Sequence, residues 1–138
     1  MKTLFAIFAI LFGSPEPAYS QSDVSCMAHA VYHEARGESI KGQEAVAHVV
    51  LNRSKSDMFP NSICGVVYQP HQFTNIKQTK PRFDSPAWNQ AMLISAKTLA
   101  GLSKDPTNGA KYFYAHMKVK PKWSESKLKI KIGNHSFL

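Results

Sequence analysis

The stretch from Cys26 to Glu38 sets the tightest limit on the fold, because it reads as a helix with a carboxylate on its inward face. Met27, Ala30, Val31 and Glu34 fall at i, i+3, i+4 and i+7, so the acid shares one stripe with three apolar residues. A carboxylate in that setting either finds a cation or has its pKa raised by desolvation, and a raised carboxyl suits a general acid working near neutral pH. Gly37 is expected to end the helix as an αL cap, which leaves Glu34 in the last turn, at the rim of whatever lies beyond. Arg36 and Arg53 are the cations available for the structural alternative, a plain ion pair; both are expected to turn outward from their helix ends, so desolvation should win.

The first residues have a different character. Met1-Lys2-Thr3, the apolar run Leu4 to Phe12, the break at Gly13-Ser14-Pro15 and the small-x-small site Ala18-Tyr19-Ser20 predict a secretory signal peptide over residues 1–20. The apolar run is about half the ~20 residues a spanning helix needs, so no stable membrane span is expected after cleavage. Residues 21–138 then form one compact domain, expected to be a monomer. Cleavage removes Lys2 and Glu16 and leaves the net charge at +8, which points to an anionic partner. Export makes envelope polymers the first such partner met, and nucleic acid is not expected. Cys26 and Cys64 are the two cysteines, and in an oxidising compartment they are expected to pair as a disulfide.

Along the domain, Asp23 or Ser22 is expected to cap a first helix running to about Ala35. Gly42 to Arg53 predicts a second helix, with Val46, Val49, Val50 and Arg53 on one face, and Ser62 to Tyr68 a short third. Gln69 to Asp84 loses helical periodicity and reads as a long functional loop. Ser85 as N-cap and Pro86 at the first position announce another helix, with Trp88, Met92, Ala96 and Leu99 as its inward stripe. After the turn cluster Asp105 to Gly109, the alternation in Ala110 to Tyr114 and in Leu128 to Ile132 predicts short strands, and Gly133-Asn134 a tight turn before Ser136 to Leu138. The fold class is α+β: a mostly helical core beside a small antiparallel sheet, in a single domain.

His33-Glu34 followed by Gly37 departs from the zinc helix motif His-Glu-x-x-His, since the second histidine is missing. His29 and His33 stand four apart, but nothing in the spacing chooses a third ligand among His48, His71, His116 and His135, so no metal and no cofactor are expected. No Gly-x-Ser-x-Gly elbow is present for a serine nucleophile. The second half of the chain is rich in rings and amides. Gln72, Phe73, Tyr112, Tyr114, His116, Trp123 and Asn134 suit a sugar site, where flat rings stack on pyranose faces and amides bond to their edges. Phe113 and at least one tyrosine of this region are expected in the core.

These residues resemble a known family. Glu-Ala-Arg-Gly-Glu at 34–38, Gly42-Gln-Glu-Ala-Val-Ala-His-Val-Val-Leu-Asn-Arg53, Phe59-Pro60, Cys64-Gly-Val-Val-Tyr-Gln69, Gln72-Phe73, Asp105-Pro-Thr-Asn-Gly-Ala110 and Ile132-Gly-Asn-His135 are similar to the SleB/CwlJ cell wall hydrolases, in the same order. The resemblance implies a lysozyme-like, mostly helical domain that cuts the glycan strands of peptidoglycan in the periplasm or outside the cell. It also implies that Glu34 is the catalytic acid. Many members carry a separate wall-binding repeat domain that this sequence lacks, so targeting is expected to rest on the cleft and on charge.

Glycoside cleavage generally uses two carboxylates. Glu38, Glu44, Asp84 and Asp105 are the candidates for the second, and none is placed beside Glu34 by sequence. A one-carboxylate route exists for peptidoglycan, because the muramic acid 6-hydroxyl can attack its own anomeric carbon and give an anhydro end. This lytic transglycosylation is preferred over hydrolysis. The alternatives are a non-catalytic basic module that holds glycan or nucleic acid, and a zinc-dependent wall hydrolase.

Overall fold

The computed structural model of the chain describes residues 18–70, 72–73, 79–125 and 127–138. The expected leader, apart from Ala18 to Ser20, and His71 lie outside the described residues. Helix α1 spans Gln21–Ala35 and is capped by Ser20, not by Asp23 or Ser22. The Ser20 hydroxyl accepts from the Asp23 amide at 3.2 Å while the Asp23 carboxylate accepts from the Ser20 amide at 2.8 Å, so Asp23 is the third-position partner of a capping box. At the other end the Glu38 amide donates to the Ala35 carbonyl at 2.9 Å across Arg36 and Gly37. Gly37 takes φ +86° there, which a side chain would strain.

Helix α2, Ile40–Ser54, begins after the Ser39 cap and is buried on nearly every side: Ala45, Val46, Ala47, Val49 and Val50 are wholly inaccessible. It is the central rod of the domain. Helix α1 packs against it, as do the short α3 (Ile63–Val67) and α4 (Pro86–Leu99). The Cys26–Cys64 disulfide ties α1 to α3. On α4 the buried stripe is Trp88, Ala91, Ile94, Ser95 and Thr98; Met92 and Leu99 pack at its edge, while Ala96 is exposed. The stripe differs from the sequence expectation because Thr98 satisfies its own hydroxyl on the Ile94 carbonyl, 2.8 Å away, and can therefore face inward.

Strands β1 (Phe113–Ala115), β2 (Ile130–Ile132) and β3 (His135–Phe137) form an antiparallel sheet in the order β1-β3-β2. The register pairs Tyr114 and Lys131 with Ser136, and Ala115 and Ile132 with His135. Phe113, Ala115, His135, Phe137, Ile130 and Ile132 thus share one face, and Tyr114, Ser136 and Lys131 the other. Buried Ile132 and Phe137 join the first face to the helical core. No described helix is long and apolar enough to cross a membrane.

Candidate active site

Two adjacent side chains at the end of α2 fix where the sheet begins. Asn52 Nδ2 donates to the Ala110 carbonyl at 2.9 Å and to Asp105 Oδ2 at 3.0 Å. Arg53 Nε donates to the Lys111 carbonyl at 2.7 Å. With the residues just before it held this way, β1 faces the C-terminal end of α1, and a cleft of about 390 Å³ opens between them.

Glu34, Gln72, Phe73, Tyr112, Tyr114 and Trp123 all line this cleft. Glu34 is half-buried in the last turn of α1, and burial pushes its carboxyl above the ordinary value against the opposing pull of Arg53. Phe73 is buried, contributing to the floor, whereas Trp123 on the 3-10 turn Lys122–Ser124 is half-exposed at the rim. The Trp123 ring lies 5.8 Å from Tyr112 and 6.0 Å from Tyr114, centroid to centroid. Such a wall of tilted rings offers flat apolar faces beside a carboxyl.

Two expected members are elsewhere. His116 follows the end of β1, and its Nδ1 bonds the Ser136 hydroxyl at 3.1 Å on the opposite face of the sheet. Asn134 sits in the β2–β3 turn, where its amide and its side-chain nitrogen reach the Glu38 carboxylate at 3.3 and 3.4 Å. The core expectation for this region also shifts: Phe113 is only half-buried and lines the cleft, and neither Tyr112 nor Tyr114 is buried.

Arg53 and His135 are lining residues that the sequence did not single out for the cleft. Arg53 does not turn outward; it is 5 % exposed. Besides the Lys111 carbonyl it donates to Gln72 Oε1 at 3.2 Å, and its guanidinium carbon lies 4.9, 5.5 and 5.7 Å from the ring centres of Phe59, Phe73 and Tyr112. No ion pair joins it to Glu34 among the described residues. Arg36 does turn out, over the Tyr32 ring at 4.6 Å. His135 could have been found from strand alternation, since it shares a face with Phe137.

The other carboxylates are occupied or remote. Glu38 meets His135 Nδ1 at 3.2 Å, and a Cβ on Gly133 beside it would lie 2.9 Å from Glu38 Oε2, so a side chain there would displace the carboxylate from this contact. Burial lowers the His135 pKa against the pull of Glu38, so a neutral imidazole donates Nδ1–H to that carboxylate. Burial raises Asp105, but hydrogen bonds from Asn52, Thr107 and Gly109 outweigh it and hold the carboxyl below its ordinary range. Asp84 is exposed beside Arg82, and Glu44 lies on α2 outside the cleft. Among the described residues Glu34 is therefore the one carboxylate lining the cleft. His29 and His33, the pair with zinc spacing, do not line the cleft: His29 sits among Tyr68, Phe83 and Trp88, His33 lies against Tyr32, and no described group of three or more His, Cys, Asp or Glu is arranged to hold a metal.

The sequence profile of the family described as Cell Wall Hydrolase matches residues 37–138, starting just after Glu34. A spore cortex-lytic enzyme of Bacillus cereus is 38% identical over 120 residues, covering 86% of this chain and 45% of the relative. One of Bacillus subtilis is 34% identical over 120 residues, covering 86% and 38%. The chain thus spans less than half the length of these relatives. Among solved structures, the catalytic domain of the germination-specific lytic transglycosylase SleB from Bacillus anthracis superposes with a TM-score of 0.71 at 38% identity, covering 90% of this chain and 98% of that one. The catalytic domain of the Bacillus cereus SleB protein gives 0.74 at 36% identity, covering 91% and 98%. Both likenesses reach back through α1, where Glu34 stands.

Proposed function

The chain belongs to the cell wall hydrolase family, and from that premise we propose that it cleaves the glycan strands of peptidoglycan as a lytic transglycosylase, with Glu34 as acid and then as base. The observation that carries this reading is that Glu34 is the one carboxylate lining the aromatic cleft among the described residues, with burial raising its pKa. A strand laid across Tyr112, Tyr114 and Trp123 brings one glycosidic oxygen to the Glu34 carboxyl. Glu34 gives its proton to that oxygen as the bond to the muramic anomeric carbon breaks. The 6-hydroxyl of the same sugar then bonds to that carbon and returns its proton to Glu34, so the acid is restored and no water is consumed. Arg53 faces the carboxylate while it is charged, and its bond to Gln72 holds an amide edge toward the sugar. Glu38 acts through His135, orienting a neutral ring at the cleft wall.

The same proposal includes residues 1–20 as a signal peptide, residues 21–138 as the working domain, and action in the periplasm or outside the cell. A disulfide between Cys26 and Cys64 suits that route, since such bonds persist in oxidising compartments. Mass spectrometry of fragments released from purified walls tests the reaction. Anhydro ends are expected; reducing ends, heavier by one water, would replace transglycosylation with hydrolysis, and no release by a protein that still binds walls would leave a binding module.

A further inference from the structure

A second cavity, of about 440 Å³, opens on the outer face of the sheet. The strand register brings Tyr114 of β1 and Lys131 of β2 to it, on either side of Ser136 of β3, which lies buried beneath. Ser136 is fully buried yet polar, with its hydroxyl engaged by His116 Nδ1. Lys120 and Lys129 stand with Lys131 around this cavity against one acid, Glu125, and no described ion pair neutralises any of the three. The Tyr114 phenol is held below its usual range by the Ser124 hydroxyl first, and further by Ser136, Lys129 and Lys131, which places it in the positive field of these groups. The mechanism uses none of the lysines.

We propose that this cavity is a subsite for the carboxylates of the peptide stems borne by the glycan strand in the cleft. Its position selects that occupant. Tyr114 lines both the cleft and this cavity, so the two spaces meet at one side chain. A group entering here while sugar fills the cleft must branch from the same strand, and peptide stems are the anionic branches of peptidoglycan. The lysines meet their carboxylates as charge-assisted donors at the cavity mouth, while the Tyr114 phenol gives a hydrogen bond deeper in; the Ser124 hydroxyl is spent on the Pro121 carbonyl at 2.6 Å.

This inference rests on the strand occupying the cleft as proposed above, and its test is arranged to fail separately. Binding is measured with the Glu34→Gln protein, so that no turnover intervenes, on three preparations: peptide-bearing strands, strands stripped of stems by an amidase, and stem-bearing strands whose carboxylates have been amidated. Peptide-bearing strands are expected to bind about five- to tenfold more tightly than the other two, the range of one or two exposed charge pairs. Adding Lys129→Ala and Lys131→Ala is expected to remove that advantage and leave affinity for stripped strands unchanged. Equal binding of all three preparations, or an advantage that survives the lysine substitutions, overturns the subsite. Competition by millimolar inorganic phosphate as effective as that by free stem peptide overturns it too, in favour of a general anion site. Loss of binding to every preparation instead strikes the cleft reading itself.

Discussion

Replacing Arg53 separates its structural work from its electrostatic work. The Arg53→Met change keeps an apolar stem but strips a 5 % exposed cation from between the Lys111 carbonyl, Gln72 and three rings. Leaving the carbonyl unpaired costs about 1–3 kcal/mol, and losing the guanidinium from the rings costs about 1–2 kcal/mol more. Together these amount to about 2–5 kcal/mol of a stability near 5–15 kcal/mol, or a fall in Tm of about 8–20 °C for a domain of this size. The same change removes the Arg53 charge that opposes the raised pKa of Glu34, so that pKa should rise further. Activity that needs the protonated acid is lost as pH climbs through this value, and the alkaline limb of the pH–rate profile should therefore move to higher pH. Arg53→Lys keeps the charge but cannot reproduce the planar donor set, so it should share part of the Tm loss while leaving the limb near its original position. Thermal unfolding by circular dichroism and wall clearing between about pH 4 and 9 read the two effects. A Met variant whose limb stays put, or moves to lower pH, would refute the electrostatic reasoning; a Tm within about 3 °C of the parent would refute the structural one.

Glu34→Gln should abolish wall clearing and retain wall binding. Because the folded pKa of Glu34 is raised, its stabilising contribution is complete below the unfolded value of 4.5 and disappears as pH rises through the folded value. The Gln variant should therefore be more stable than the parent at neutral pH and lose that lead in acid, as read by Tm across pH. Ellman titration of the unfolded, unreduced protein should find no free thiol, and breaking the Cys26–Cys64 bridge, which spans 38 positions, should lower stability by about 4 kcal/mol in the chain-entropy picture. Ser39→Ala removes the side-chain cap of α2 and should lower stability by about 1 kcal/mol in denaturant titrations. Wall binding should weaken from about 0.05 to 0.5 M salt, since Lys118, Lys120, Lys122, Lys127 and Lys131 are all exposed.

The helices were legible because their ends carry distinct chemistry. Gly37 and the Ser85-Pro86 pair marked boundaries that the structure keeps. The start of α1 differs from the expected Ser22 or Asp23 by two or three residues because Ser20, Ser22 and Asp23 are all good caps, and sequence does not say which comes first. The inward stripe of α4 was misjudged for a related reason: hydropathy counts Thr98 as polar, whereas in a helix it can bond its own backbone and be buried at no loss. The cleft was legible as composition, not as geometry. Glu38 and Asn134 meet across 96 positions of chain, and nothing local announces that contact. His116 and His135 looked alike in sequence, but they end on opposite faces of one sheet because strand side chains alternate and His116 lies beyond the end of β1.

Arg53 is the residue for which sequence reasoning erred most, and its true position bears directly on the proposed chemistry. An acid held only by desolvation would keep its proton too well, since the carboxylate left after donation would be a bare charge in an apolar wall. An acid in a tight ion pair would have no proton to give at neutral pH. In the proposed reaction the same carboxyl must release a proton and then take one back, so neither extreme serves. The cleft stands between them: the α1 stripe raises Glu34, and a buried guanidinium, already engaged by Lys111, Gln72 and three rings, opposes that rise without closing into a salt bridge. Because Arg53 is anchored by partners other than Glu34, its charge stays in place through both proton transfers, opposing the cost of the carboxylate after the first and leaving the carboxyl free to take its proton back in the second.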